Sequence, residues 1–132
     1  MDRPVITVAN RLPVERTASG WKLSPGGLVT ALQPVMASRA GVWVGWDGGS
    51  SGIPANADDL PTGLEAVSLP GALARDYYQG FANRSLWPLL HNAIEHPRFE
   101  RSWWAAYQSA NHRFAESTGA VARERHVGHA AR

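Results

Sequence analysis

Apolar and polar positions change rhythm several times along this 132-residue chain. Val5 to Ala9 is a short, β-branched, mostly apolar run between Pro4 and Asn10, the pattern of a buried strand. Leu12 to Pro25 is polar and turn-rich, and Trp21-Lys22-Leu23 alternates like half of a small hairpin. From Gly27 the apolar positions Leu28, Ala31, Leu32, Val35 and Met36 recur at helical spacing. Pro34 removes one hydrogen bond and should kink that helix. Gly41 is placed to end it as the C′ residue. Val42 to Trp46 reads as a second strand, Asp47 to Gly63 as a loop, and Glu65 to Leu69 as a third strand. Ala72 to Phe81 reads as a helix with Leu73, Tyr77 and Phe81 on one face. Ser85 to Ile94 reads as a second short helix, with Pro88 near its first turn. Pro97 precedes a long helix whose inner stripe is Phe99, Trp103, Ala106, Ala110 and Phe114. Strands alternating with helices predict an α/β layered, mostly parallel sheet. In such sheets ligands sit beyond the carboxyl ends of the strands.

Composition narrows the classes. The chain has 44% apolar and 18% charged residues, no cysteine, and a formal net charge of only +2. Without cysteine there is no disulfide, thiolate metal site or cysteine nucleophile. No Lys/Arg run is interleaved with aromatics, so nucleic acid is not an expected partner. The apolar stretch after Met1-Asp-Arg-Pro is too short for a signal-peptide core, and no run of about 18 apolar residues exists. The expectation is a soluble, cytoplasmic chain with no membrane partner. Six tryptophans are many for this length, and large aromatics call for burial or a ligand face.

Few residues carry chemistry by position alone. Arg11 follows the first strand at its carboxyl end, and its planar guanidinium suits a phosphate, although the same position suits a plain surface arginine. Gly26-Gly27 precede a helix whose first N–H groups are unpaired, so an anion can approach the backbone closely. The pair is equally read as a turn, and it is neither G-x-G-x-x-G nor a Walker loop. A tyrosine of Tyr77-Tyr78 and Trp87 are placed to face a sugar or to pack in a core. For Trp103, Trp104 and Tyr107 core packing is the expected role. His91, His96, His112, His126 and His129 form no H-E-x-x-H pattern, so no metal site is expected. Asp58-Asp59 reads as a solvated loop pair.

Five ordered stretches then stand out: "VANRLPV", "SPGGLVTAL", "VWVGWDG", "DYYQGFANRSLWPLLH" and "WWAAYQSANHRFAE". Together, over residues 4 to 118, they resemble the N-terminal part of the trehalose-6-phosphate synthases, retaining glycosyltransferases of GT-B fold. The resemblance implies a partial Rossmann-like sheet. It implies transfer of glucose from UDP-glucose, or another nucleotide-glucose, to glucose 6-phosphate without a cofactor. It also assigns roles. Arg11, in the "NR" ending the first strand, would bind the acceptor phosphate. Gly26 and Gly27 would contact the nucleotide sugar. Tyr78, the second tyrosine of "YY", and Trp87, in "LWP", would line the acceptor pocket. No catalytic residue is assigned.

The same family is several times longer, and its basic donor-binding pair and Asp-Tyr-His-like acceptor motif are not among these residues. The expectation is therefore a partial acceptor-side domain over 1–118, inactive alone. Residues 119–132, "GAVARERHVGHAAR", read as a solvated tail foreign to the family. The remaining alternatives are a related synthase using glucosylglycerol phosphate or a pseudo-sugar, a non-catalytic sugar-phosphate binder, or a fragment that pairs with itself or with a separate chain.

Overall fold

The computed structural model describes residues 4–49, 63–92 and 94–130. The Asp58-Asp59 pair lies outside these residues. Two compact units are present, Met1–Ser68 with Glu116–Arg132, and Leu69–Ala115.

The first unit is built on a three-stranded parallel sheet. Strands β1 (Ile6–Arg11), β4 (Val42–Trp46) and β5 (Gly63–Val67) lie in the order β1-β4-β5. β4 is central, and Val42, Trp43, Val44 and Gly45 are all buried, which explains its unbroken apolar sequence. β1 pairs Ile6 with Val42 and Val8 with Val44, then shifts register before Arg11 meets Trp46. Arg11 is thus the last residue of the strand rather than two residues beyond it.

The stretch read as polar loop is instead mostly an antiparallel hairpin, β2 (Val14–Thr17) and β3 (Gly20–Leu23). Leu12 and Val14, within it, are buried with Met36 and Trp43 in the unit's core. Trp21 and Leu23 pack against that core, so the alternation at 21–23 reports a true hairpin strand.

Helix α1 (Gly27–Ser38) runs through Pro34 and buries Met36, whose sulfur accepts a hydrogen bond from the Thr7 hydroxyl at 3.1 Å. Its end differs from expectation. Ala40, not Gly41, takes the left-handed conformation, with φ 47°. The Gly41 N–H bonds back to the Met36 carbonyl at 2.8 Å, closing a Schellman-type stop. Glycine serves at 41 for space: a Cβ there would lie 2.7 Å from Met36 Cε and 3.1 Å from Met36 Cα.

The second unit opens with α2 (Gly71–Ala74), which continues without a break into a π-helical segment (Arg75–Leu86) and then α3 (Trp87–Leu90). The two short helices predicted from sequence are one run. Ala82-Asn83-Arg84 looks like a polar break under a 3.6-residue period. Under wider winding the buried pair Gly80 and Phe81 returns to the same side at buried Ser85. The Trp87 N–H reaches back five residues, to Ala82 O. The run stops at His91-Asn92, where Asn92 is left-handed at φ 47°.

Helix α4 (Arg101–Ala130) contributes to both units. Ala106, Ala110 and Phe114 are buried as the stripe predicts. Phe99 precedes the helix and is 65% exposed, so it is not part of the stripe. The helix also continues through 119–130, where the sequence suggested a solvated tail. Val121, seven residues after Phe114, is buried and extends the stripe. Arg125 donates to the Ala40 carbonyl at 2.6 Å, tying this stretch to the end of α1 within the first unit. No helix among the described residues is long and apolar enough to cross a membrane.

Candidate functional site

In the first unit the relevant end is the carboxyl edge of the sheet. α1 hands the chain to the amino end of β4 through only Arg39, Ala40 and Gly41. Its own amino end therefore points back toward the carboxyl ends of the strands. Arg11 and Gly26-Gly27 are brought to the same end of this unit.

Arg11 is exposed but not loosely held. Its backbone carbonyl accepts a hydrogen bond from Trp43 Nε1 at 3.0 Å. The Leu12 N–H, next in the chain, donates to Trp46 O at 3.0 Å. Its guanidinium lies over the Trp46 ring, 5.4 Å from the centroid. A side chain at Gly48 would meet the guanidinium at 2.7 Å, and Gly48 also has φ 78°. The Gly49 N–H donates to the Asp47 carboxylate at 2.9 Å, folding the Asp47-Gly48-Gly49 turn. Among the described residues no carboxylate pairs with Arg11.

Gly26 and Gly27 show a different feature. Gly26 is the N-cap of α1 in ordinary extended geometry, φ −71° and ψ 147°, with no side-chain cap. A Cβ at either glycine would meet nothing within 4 Å. Neither backbone strain nor packing among the described residues calls for glycine here. The first turn of α1 carries no acidic side chain, so its positive end is uncompensated.

In the second unit, the winding decides which side chains line up. Tyr78 and Trp87 are nine residues apart, which is half a turn out of phase in an α-helix. At about 4.4 residues per turn, the i→i+5 winding brings them to one side. Trp87 is 58% exposed, so it is not a core residue. It stacks on His91, with ring centroids 3.6 Å apart and planes 20° apart. The His91 Nδ1 lies 3.0 Å from the Trp87 carbonyl. A carbonyl only accepts, so a hydrogen bond here needs the tautomer with its proton on Nδ1. Tyr77, the first tyrosine, turns elsewhere, into a cluster with Phe81, Trp104 and Tyr107. Burial pushes the Tyr77 hydroxyl above its usual pKa, helped by Tyr107 and Tyr78, so it stays neutral. Trp104, expected in the core, is 49% exposed.

With this geometry in view, the comparisons are specific. The model of Glycosyltransferase family 20 matches residues 3–127. The chain belongs to that family. The match runs well into the stretch read from sequence as foreign to it.

This family 20 chain is 46% identical over 132 residues to the trehalose-6-phosphate synthase of Mycobacterium sp. (strain KMS), with 93% of this chain aligned to 26% of that protein. It is similar in structure to an α,α-trehalose-phosphate synthase (UDP-forming) from Burkholderia vietnamiensis. There the TM-score is 0.73 and the identity 28%, over 92% of this chain and 27% of that one. The corresponding enzyme of Burkholderia multivorans gives a TM-score of 0.69 at 32% identity, over 92% and 26%. The chain spans about a quarter of the length of the curated relatives it matches. The mixed α/β layer with a parallel sheet is the fold expected from the sequence.

Sequence reading of this family 20 chain missed Trp43, Trp46 and Gly48, the residues that seat Arg11. The quoted stretch "VWVGWDG" contains all three, but only strand pairing shows that they belong beside "NR". It also missed His91, whose spacing of four from Trp87 on a helix was the available signal.

Proposed function

We propose that this chain forms the acceptor-side part of a retaining glucosyltransferase that joins glucose from UDP-glucose to glucose 6-phosphate, giving trehalose 6-phosphate. The observation that carries this reading is the seating of Arg11. A permanently charged fork, backed by an indole and facing a glycine, is suited to a phosphoryl group. The relatives' names, trehalose-6-phosphate synthase and the UDP-forming enzyme, point to the same chemistry.

In this reading Arg11 holds the acceptor phosphate. Tyr78 and Trp87, taken by themselves in the second unit, offer a hydroxyl and an exposed aromatic face suited to a sugar. The N–H groups at Gly26-Gly27 approach the donor diphosphate and stabilise charge as the glycosidic bond breaks. Holding both substrates in one cleft supplies proximity. The rest of the donor stabilisation comes from parts of the enzyme beyond these residues, which span a quarter of the relatives' length.

The test is a chimera. Residues 4–127 replace the matched segment of the full-length synthase from Mycobacterium sp. (strain KMS). Trehalose 6-phosphate is then followed by mass spectrometry, with UDP-glucose and glucose 6-phosphate as substrates and the isolated chain as negative control. Turnover by the chimera is expected. A folded chimera that binds neither substrate would reject the reading.

Gly27→Val in the same chimera is expected to weaken UDP-glucose binding about ten-fold or more, the loss of one or two charge-assisted N–H contacts. Because a Cβ at Gly27 meets no neighbour, the circular dichroism spectrum should be unchanged. Normal donor affinity by titration calorimetry would reduce the glycine pair to a turn.

A further inference from the structure

A depression of about 270 Å³ in the second unit is lined by Arg75, Asp76, Gln79, Gly80, Arg84 and Trp103. The glucosyltransferase reading places no ligand on these residues. Arg75 and Arg84 are nine residues apart, so the wide winding of 75–86 that aligns Tyr78 with Trp87 also aligns these two guanidiniums. The two pairs lie about a third of a turn apart on the same run, and so form separate strips. The wall opposite the run is Trp103. It lies so close to Gly80 that a Cβ there would sit 2.8 Å from three atoms of the indole. Arg98 covers the indole, 5.8 Å from its ring. With the helix near one part of Trp103 and a cation over its ring, the indole bounds the depression rather than offering a free stacking platform. The space falls just under the range of about 300–1,000 Å³ usual for drug-sized ligands, which favours a compact group.

The charge balance supports an anion. Asp76 pairs with Arg75 at 3.3 Å, and Glu100 pairs with Arg98 at 3.6 Å. Among the described residues no carboxylate pairs with Arg84. Gln79 adds an amide donor between the two arginines.

We propose that this depression is a second phosphoryl-binding site, in which Arg84 and Arg75 hold a phosphate dianion and Gln79 donates to it. It is independent of the Arg11 site and does not rest on the glucosyltransferase reading. The ligand is either free phosphate or the phosphoryl group of a small sugar phosphate.

The test uses the 132-residue chain labelled with ¹⁵N. Inorganic phosphate, glucose 6-phosphate and sulfate are titrated separately while the indole N–H resonance of Trp103 is followed. Trp103→Phe assigns that resonance. Phosphate is expected to shift it saturably, and more tightly than sulfate. Arg84→Gln should raise the dissociation constant ten-fold or more. Arg11→Gln should leave it unchanged, which separates this site from the acceptor site. Asp76→Asn should tighten binding about two- to five-fold, because it frees Arg75 from a surface ion pair. A merely structural Asp76 would not have that effect. Arg11 and Arg84 are exposed, while Asp76 and Trp103 are half-buried and replaced by side chains of similar shape, so the variants should fold, and their remaining resonances check this. A response to both phosphate and glucose 6-phosphate assigns free phosphate as sufficient. A response to glucose 6-phosphate alone that Arg84→Gln abolishes assigns the sugar phosphate. No saturable shift, an equal response to sulfate, or an Arg84→Gln variant with unchanged affinity would each overturn the site.

Discussion

Arg11→Ala in the chimeric synthase should lower kcat/KM for glucose 6-phosphate about ten-fold or more. A hydrogen bond to a charged group contributes about 1.5–3 kcal/mol, and each 1.36 kcal/mol is a factor of ten. The loss should fall on the acceptor and spare KM for UDP-glucose. Arg11→Lys separates charge from shape. Lysine keeps the charge but not the planar fork that lies over Trp46, so it should recover only part of the activity. The fold should be indifferent to both changes, since Arg11 is exposed and its structural bonds are made by its backbone carbonyl. Unchanged acceptor kinetics in Arg11→Ala would remove the guanidinium from the site.

The largest expected effect on stability is at Gly45. An added Cβ would sit 2.5 Å from Leu12 N, 2.6 Å from Arg11 C and 2.8 Å from Arg11 O. These are backbone atoms, so no rotamer change relieves the clash. β1 and β4 must separate where the Leu12–Trp46 and Trp43–Arg11 hydrogen bonds hold them together. Gly45→Ala should therefore cost about 3 kcal/mol, the upper end for overpacking. At this chain length that lowers Tm by about ten degrees. Gly27→Ala is the control, because its Cβ meets nothing within 4 Å and should move Tm by only about a degree or two. Equal melting temperatures for the two variants would show that β4 does not pass this closely under Arg11.

These expectations also show which features the sequence exposes. β4 is legible because a central parallel strand is buried on both faces and needs an apolar run. α1 and the buried alanines of α4 are legible because their periods repeat over several turns. The hairpin was half hidden: Leu12 and Val14 are buried, but they sit among polar residues that read as loop. Ala40 was hidden by the glycine beside it, since sequence rules give the left-handed position to glycine first. The stripe on α4 was lost after Phe114, because only Val121 marks its next turns. Arg11 and the glycine pair could be placed at a carboxyl edge from pattern alone, yet the residues that seat Arg11 come from another strand.

The winding of 75–86 has a consequence for how this stretch tolerates change. A π-turn is the form a helix takes when it absorbs an extra residue without losing its axis. Two side chains nine positions apart then stay in phase only while the count between them is kept. Exchanging Asn83 for another polar residue alters one surface position. Removing a single residue between 78 and 84 would leave the members of each pair eight positions apart and swing everything beyond the deletion around the axis. Trp87 would leave Tyr78, and Arg84 would leave Arg75, at the same stroke. Length is the fixed quantity across these twelve residues, and composition adjusts only at outward positions such as Asn83.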